Sequence, residues 1–241
     1  MFIKNYVIMY LRSDKMMNRK LICSNEVIDY VKKYSPIELK MFYNMLYCYK
    51  EQKLYKNKNI EDDEIVCIEL YDLKNYLGYK HLATTDVKAL IFNMPKSIYS
   101  KDGCTYISIF DFIQYDIYTN EIRYKICDSF KPYLNDVISD FTVLELGELA
   151  SLRSKYSQRL FEFASKNKNL ASYLMKIDEF KDYFQIPSTY AMGNIDQKIL
   201  IPMVKDVNDN TSINIEISKM KNKNKITHIL FKFKMKKTLD I

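Results

Sequence analysis

Amide and lysine side chains gather on one face of a predicted helix, Asn194–Asn208. At about 100° per residue, its apolar stripe consists of Ile195, Ile199, Met203 and Val207. The opposite face carries Asn194, Gln197, Lys198, Ile201, Lys205 and Asn208. Amides can hydrogen-bond adenine bidentately, lysine can bond guanine or phosphate, and an isoleucine can contact a thymine methyl group. The face therefore suits base reading in DNA, although an ordinary amphipathic surface helix has the same periodicity.

Two residues complicate this helix. Pro202 has no N–H and is expected to kink the helix, which makes the register beyond it less certain. Asp196 places a carboxylate among the amides, where it either accepts from a cytosine amino group or orients a neighbouring side chain. The sequence alone leaves both roles of Asp196 open.

A lysine-rich β-hairpin is predicted after the helix, with its turn between Lys219 and Lys225. Lys221, Lys223 and Lys225 lie around this turn, and the segment Ser218–Leu239 contains eight lysines and no acidic residue. Such a cluster suits a polyanion, because neutralised phosphates release bound counterions. The alternative is a solvated edge whose lysines prevent association between strands.

The net charge of +7 is distributed unevenly along the chain. Residues 1–139 contain 20 Lys and Arg against 18 Asp and Glu, whereas residues 140–241 contain 17 against 12. The positive excess therefore lies in the half that contains the lysine-rich hairpin.

Three helices and this hairpin make up the second half. Apolar spacing predicts helices over Leu149–Phe163, Ile177–Phe184 and Asn194–Asn208, with a break at Ile186–Ser188. One face of the first helix carries Lys155, Arg159 and Lys166. A basic face can clamp phosphates without reading sequence, whereas the alternative is a solvated face with Glu162 as an intrahelical partner. Three helices followed by a hairpin are the order of a winged helix.

The first half repeats this order. Ser35 to Glu38 form a capping box with Pro36 at the first helical position, which starts a helix reaching about Gln52. The next predicted elements are a strand at Glu64–Leu70, a helix at Tyr71–Leu77 ended by Gly78, a helix at Asp86–Asn93 capped by Thr84 or Thr85, and strands at Thr105–Tyr118 and Glu121–Cys127. Polar and basic residues around the start of the helix Asp86–Asn93 are candidate contacts to the DNA backbone: Lys80, His81, Thr84, Thr85 and Lys88.

The predicted fold class is α+β, with two tandem winged-helix domains. Residues 1–20 form an N-terminal extension, residues 21–133 the first domain and residues 134–241 the second, with the junction near Pro132. Met1, Met16 and Met17 are the candidate translation starts, and the sequence leaves the choice among them open.

The order of residues in the second half resembles the iteron-binding replication initiators of theta-replicating plasmids, the RepA/RepE/Pi family. The resemblance is carried by Leu152-x-x-x-Tyr156-Ser157-x-Arg159-Leu160-x-Glu162, Ile177-Asp178-Glu179-Phe180-Lys181, Phe184-x-Ile186-Pro187-x-x-Tyr190 and Ile199-Leu200-x-Pro202-x-x-Lys205-Asp206-x-Asn208. Upstream, Phe130 to Leu134 and Phe141 resemble that family's junction between domains. In the first half the resemblance is only architectural.

The resemblance implies a DNA-binding role for Lys155, Arg159 and Tyr190 beside the polar face of the third helix. It implies that monomers bind direct repeats in double-stranded DNA at an origin and recruit the host initiator and replicative helicase, and that homodimers formed through the first domain repress the initiator's own promoter. The hairpin Tyr106–Tyr118 is the candidate dimer surface, with simple core packing as the alternative. Family members often carry basic residues where Asp196 and Gln197 stand here, so the bases read remain open.

Other classes of function lack their residues. The two histidines, His81 and His228, are far apart, and the four glycines are isolated, so neither a metal or nickase site nor a phosphate-binding loop is indicated. The five cysteines form no CxxC pair, which favours free, buried thiols in a cytoplasmic protein. No apolar run approaches the ~18 residues needed to span a membrane. We therefore expect no enzyme activity and no cofactor.

Two other functions fit the same elements. A winged-helix transcription regulator would bind DNA without opening an origin, and its dimer would require a palindrome rather than direct repeats. A protein-interaction module built on tandem winged helices would show little salt-dependent affinity for DNA.

Overall fold

The computed structural model describes residues 19–31, 34–55, 65–99, 104–135, 139–223 and 225–236. The predicted N-terminal extension lies outside the described residues, apart from Arg19 and Lys20. The chain divides into two compact units, Met1–Ala150 and Ser151–Ile241, which we call unit 1 and unit 2.

Unit 1 contains most of the predicted first domain. Its elements are β1 (Lys20–Ser24), α1 (Asn25–Tyr30), α2 (Pro36–Tyr55), β2 (Ile65–Glu69), α3 (Leu70–Leu77), α4 (Thr84–Asn93), β3 (Ser97–Tyr99), β4 (Tyr106–Ser108), β5 (Phe110–Asp116), β6 (Glu121–Ile126), a 3₁₀ helix (Asp128–Tyr133), β7 (Phe141–Glu145) and α5 (Leu146–Ser151). Strands β2, β6 and β5 form one antiparallel sheet in that order, and β3 pairs with β4.

Local signals explain the helix ends in unit 1. The Ser35 N–H donates to the Glu38 carboxylate at 2.8 Å, and the Glu38 N–H is 3.5 Å from the Ser35 hydroxyl, so the predicted capping box starts α2. Gly78 ends α3 with φ 77°, a left-handed conformation that glycine adopts without strain. The prediction that Thr84 or Thr85 caps α4 was wrong, because Ala83 is the capping residue and its N–H donates to the Asp86 carboxylate at 3.2 Å.

The predicted long strand Thr105–Tyr118 is two strands in two sheets. The chain changes partners at Ile109, whose N–H donates to the Lys96 carbonyl at 2.8 Å while its own carbonyl accepts from the Cys127 N–H at 2.9 Å. Apolar alternation continues through this point, so it could not reveal that β4 pairs with β3 whereas β5 pairs with β6.

Unit 2 has the predicted helices and one strand that was not anticipated. Its elements are α6 (Lys155–Asn167), β8 (Ser172–Lys176), α7 (Ile177–Tyr183), α8 (Met192–Ile195), a π-helical segment (Asp196–Leu200), α9 (Ile201–Asn210), β9 (Ile213–Asn222) and β10 (Lys225–Met235). The sheet order is β8, β10, β9, which matches β2, β6, β5 in unit 1. The repeated element order is thus present at the level of sheet topology.

The predicted helix Leu149–Phe163 is split. Helix α5 ends at Ser151 and α6 begins at Lys155, after Ser154 accepts the Ser157 N–H at 3.0 Å as an N-cap. Serine caps a helix when its hydroxyl satisfies an N–H that has no intrahelical partner. Apolar spacing persists across the break, which is why periodicity joined the two helices.

The boundary between units differs from the predicted junction at residues 133 and 134. Strand β7 pairs antiparallel with β1, from Lys20↔Glu145 to Ser24↔Phe141, and the Lys40 ammonium donates to the Ala150 carbonyl at 2.6 Å. The start of the second repeat in sequence is therefore part of unit 1. Pairing between strands that lie more than a hundred residues apart leaves no local signal in the sequence.

The core of unit 2 is aromatic. Phe163 contacts the rings of Tyr173, Phe231 and Phe233, with centroid distances of 5.2, 5.1 and 5.8 Å. These contacts pack α6 against β8 and β10. Edge-to-face ring pairs such as these add directional preference to the burial of apolar surface.

Candidate nucleic-acid interface

Helix α8, the π-helical segment and α9 run without a break, and we call them together the recognition helix. Its predicted apolar stripe is buried, with Ile195, Ile199, Met203 and Val207 no more than 1% exposed. Residues four positions apart lie about 400° apart around an α-helix, which is about 40° more than a full turn, so a stripe with this spacing drifts around the helix. The wider turn of the π-helical segment offsets this drift. The wide turn immediately precedes Pro202, whose ring cannot fit a regular α-helix interior. The irregularity that was expected at Pro202 therefore takes the form of a π-helical segment just before it.

The opposite face of the recognition helix is open. Its exposed side chains are Asn194, Gln197, Lys198, Ile201 and Lys205. Ile201 is 64% exposed, which is unusual for an isoleucine in the middle of a helix. An exposed aliphatic side chain among amides and lysines has the composition of a base-reading surface.

Asn208 does not belong to this exposed face. Its amide donates to the Ile215 carbonyl at 3.0 Å, and its carbonyl oxygen accepts the Ile215 N–H at 2.7 Å. Because both groups of the amide are used, Asn208 joins the end of the recognition helix to β9. Helical spacing grouped it with the reading residues because spacing carries no information about the neighbouring strand.

Two lysines lie over tyrosine rings near the start of the recognition helix and of α6. The Lys198 ammonium is 5.5 Å from the Tyr190 ring centroid, and the Lys155 ammonium is 4.9 Å from that of Tyr156. Burial raises the pKa of Tyr156, and the neighbouring Tyr190 raises it further. The structure thus brings together the predicted contacts of two helices, while Lys155 and Lys198 remain exposed.

Arg159 lies elsewhere. Its side chain is 4% exposed and its Nη1 is 2.7 Å from Oε2 of Glu162, which is fully buried. Arg159 therefore does not share the exposed face of Lys155 in this structure, and it pairs with Glu162 within the helix, although the alternative had placed this pair on a solvated face. Residues 157–165 of α6 are all buried, so this helix has no solvated face at Arg159. A buried guanidinium requires such a partner, because desolvating a lone charge is costly.

The hairpin of β9 and β10, which we call the wing, presents three predicted contact residues. Lys221, Lys223 and Lys225 are all exposed. Asn222 pairs with Lys225 at the end of the wing, and Lys223, which follows Asn222, has a φ of 55°. Positive φ at the first turn position is the geometry that matches the twist of paired strands.

Two other lysines of the same segment make contacts within unit 2. Lys219 pairs with Asp196 of the recognition helix, and the Lys236 ammonium donates to the carbonyls of Asn208 and Thr211. A count of lysines along the sequence cannot separate these from the exposed ones. The Asp196 contact favours the second of its two predicted roles, the orientation of a neighbouring side chain.

The candidate contacts of unit 1 are exposed at the start of α4: Lys80, His81, Thr84, Thr85 and Lys88. His81 also lines an open groove of about 440 Å³ together with Tyr71, Lys74 and Asn120. The Lys74 ammonium lies 5.5 Å from the Tyr71 ring centroid. Lys74 and Tyr71 lie on the preceding helix, α3, and were not among the predicted contacts.

The hairpin proposed as a dimer surface is partly core and partly exposed. Ile107 and Ile109 are buried, whereas Tyr106, Ile117 and Tyr118 are 61, 51 and 91% exposed. The Tyr106 ring contacts that of Tyr99 at 5.6 Å. Core packing thus accounts for Ile107 and Ile109, whereas only the exposed residues are available for a dimer surface.

Further features bear on the excluded classes. None of the five cysteines, all of which lie in the described ranges, forms a disulfide; Cys23, Cys48 and Cys67 are buried, whereas Cys104 is exposed and Cys127 half-buried. Burial raises the pKa of the Cys48 thiol to about 12. Within the described ranges, no three His, Cys, Asp or Glu side chains are grouped to hold a metal ion. No helix in the described part of the chain is long and apolar enough to cross a membrane.

Comparison with known protein families gives two matches. Residues 20–165 match the family described as "Initiator Replication protein, WH1", and residues 176–233 match "Initiator Rep protein, WH2". A curated relative, the "Probable replication protein rep" of Bifidobacterium longum (strain NCC 2705), is 24% identical over 111 residues. This match covers 45% of the chain and 37% of that relative's length.

Two solved structures have a similar fold. The crystal structure of the Pi initiator protein in complex with iteron DNA gives a TM-score of 0.73 at 16% identity, covering 92% of this chain and 99% of that one. The structure of domains 2 and 3 of RctB gives a TM-score of 0.51 at 8% identity, covering 82 and 81%. With both winged-helix domains matched in order, the chain belongs to the family of initiator replication proteins.

Proposed function

We propose that this protein initiates plasmid replication by binding direct repeats (iterons) in double-stranded DNA at an origin. The observation that carries the proposal is the exposed face of the recognition helix, with amides, lysines and Ile201 beside a lysine-rich wing. The Pi initiator, which has the same fold, was crystallised with iteron DNA, and this lends the proposal further support.

The residues divide by chemistry. Asn194, Gln197, Lys198 and Ile201 would read bases, since amide, ammonium and methyl groups match major-groove edges. Phosphates would be bound by Lys155, Tyr190, Lys205 and the wing lysines Lys221, Lys223 and Lys225. Arg159 would act indirectly, by fixing α6 through Glu162.

Unit 1 would contribute weaker contacts. Lys80, His81, Thr84, Thr85 and Lys88 would bind phosphates without reading sequence. The exposed part of the hairpin Tyr106–Tyr118 would form the homodimer, and dimers would repress the initiator's own promoter. Monomers on the repeats would recruit the host initiator and helicase in the cytoplasm.

The arrangement of binding sites tests the proposal against a transcription regulator. Sites can be selected with the full chain from a random-sequence duplex library and then mapped by footprinting on native plasmid DNA. Direct repeats beside an AT-rich tract that becomes sensitive to permanganate are expected. A single palindrome without strand opening would favour the regulator, and an affinity that does not depend on salt would favour a protein-interaction module.

Fragments test the division between units. A fragment of residues 151–241 contains the recognition helix, the wing and the aromatic core, so we expect it to select the same repeats with lower affinity. A fragment of residues 19–150 keeps the β1–β7 pair and should bind DNA with little sequence preference while self-associating. Sequence selection by the second fragment but not the first would reverse the assignment.

A further inference from the structure

A groove of about 390 Å³ lies in unit 2, where the recognition helix faces β9. Its lining combines the apolar side chains of Leu200, Ile201 and Ile217 with the charged side chains of Asp196, Lys205 and Lys219. Two ammonium groups against one carboxylate give the groove a net positive charge, and its apolar lining offers little to a small polar ion. This combination matches the sugar–phosphate backbone of DNA, in which anionic phosphates are joined by largely apolar sugar rings.

Lys219 lies on the inner face of the wing. Side chains of a strand alternate between faces, and Ile213 and Ile215 are buried, so Ile217 and Lys219 follow them on the side of the recognition helix. Lys219 was not among the predicted contacts, because the lysines of the wing were chosen only by how close they lie to its turn. Its side chain nevertheless remains 30% exposed while paired with Asp196.

Asp196 links this lysine to the recognition helix. Its Oδ2 accepts from the Lys219 ammonium, and its Oδ1 is buried without a hydrogen-bond partner among the described residues. A cytosine amino group would therefore find one carboxylate oxygen occupied and the other buried. An ammonium group has three donors, so Lys219 can keep Asp196 and still donate to another anion.

We propose that the groove binds one sugar–phosphate strand of DNA, with Lys205 and Lys219 on its phosphates and Asp196 as the residue that positions Lys219. The proposal rests on the proposed function and adds a backbone site between base reading and wing contacts. Holding a long side chain in advance removes part of the entropy that is lost when the side chain is immobilised on binding.

Asp196 also repels DNA, because its carboxylate carries the same charge as the phosphates. Its replacement therefore combines two opposing effects on affinity. A double-mutant cycle separates them, since the repulsion is present with or without Lys219 and cancels in the comparison. What remains is the effect of Asp196 that acts through Lys219.

The experiment uses the full chain with the substitutions Lys219→Met, Asp196→Asn and both together. Lys232→Met is the matched control, because Lys232 is exposed and alternates with the buried Phe231 and Phe233 on β10. Affinity for the selected duplex is measured by fluorescence anisotropy over a series of salt concentrations. Circular dichroism checks folding, and Lys219→Gln serves as a second variant if Lys219→Met unfolds.

We expect Lys219→Met to lower affinity by roughly 3- to 10-fold, the effect of one partly exposed charged contact. The salt slope should become less steep by about 0.9, the contribution of one phosphate. Lys232→Met should leave both quantities unchanged. The effect of Asp196→Asn should differ at least about 3-fold between the wild-type and K219M backgrounds, as expected for coupled residues.

Two results would overturn the proposal. Equal affinities and slopes for K219M and K232M would remove the backbone site, and additive effects in the cycle would remove the positioning role of Asp196. In both cases the wild-type protein would still bind its repeats, so the proposed function would stand. Failure of the wild-type protein to bind any duplex would instead contradict the proposed function itself.

Discussion

Units 1 and 2 have the same order of helices and the same sheet order, but they present different chemistry. Residues 1–150 contain 20 basic and 21 acidic side chains, a net charge of −1, whereas residues 151–241 contain 17 and 9, a net charge of +8. Helix α4 exposes Lys88 and an aromatic ring, Phe92, which is 75% exposed. The recognition helix exposes amides and lysines. One topology thus supports two surfaces that differ in charge and in exposed side chains.

Each unit also buries an arginine, and the two are held differently. In unit 1, Arg19 is 1% exposed, donates to the Asn44 side chain at 3.0 Å and lies within 5.7 Å of the ring centroids of Tyr47 and Tyr76. In unit 2, Arg159 is held by the Glu162 carboxylate. An amide and ring faces attract a guanidinium without carrying a charge, whereas a carboxylate adds a charge-assisted hydrogen bond.

The largest expected effect is on the stability of unit 2, and it comes from breaking the buried pair of Arg159 and Glu162. Glu162→Gln removes the carboxylate that pairs with the buried Arg159 guanidinium, so it should destabilise unit 2 by about 3–5 kcal/mol. Chemical denaturation followed by circular dichroism measures the change. Glu179→Gln is the control, since Glu179 is exposed on α7. A loss below about 1 kcal/mol, as for a surface pair, would show that the buried charge of Arg159 does not depend on Glu162.

The wing provides the next largest effect. Replacing Lys221, Lys223 and Lys225 together with alanine should weaken binding to every sequence, because phosphate contacts carry no sequence information. The salt slope should fall by about 2.7 if each lysine neutralises one phosphate. Titrations at several salt concentrations measure the slope. If the slope stays constant, these three lysines are solvated and the wing makes no contribution to the difference between the units in DNA binding.

Base reading should have a smaller and more selective effect. Gln197→Ala or Lys198→Ala should weaken binding to the selected repeat by roughly 1–3 kcal/mol if the residue contacts a base edge. Binding to random duplexes should change less. Competition between the two duplexes gives both values at once, and equal losses would assign the residue to the phosphate backbone.

The smallest effect is expected in unit 1. Lys88→Ala removes one exposed charge from a unit without positive excess, so affinity should fall by less than about 1 kcal/mol. The loss should be the same for specific and random duplexes. A loss as large as that of the wing variant would mean that both units bind DNA equally, against the difference inferred from their charges.

The sequence by itself determined the elements whose signals are local. The capping box at Ser35, the end of α3 at Gly78 and the buried stripe of the recognition helix all follow from residues a few positions apart. The exposed face of the recognition helix, apart from Asn208, followed from the same helical periodicity, and the run of lysines marked the turn of the wing. Local backbone geometry sets these features, so nearby residues suffice to predict them.

Only the tertiary structure decided which polar residues face solvent. It buried Arg159 against Glu162, joined Asn208 to β9, paired Asp196 with Lys219, and drew β7 into a sheet with β1. These contacts join residues on different elements or, for Arg159, depend on what surrounds the helix on every side. Helical spacing gives the direction of a side chain but not what lies there, because packing between distant segments fills that space.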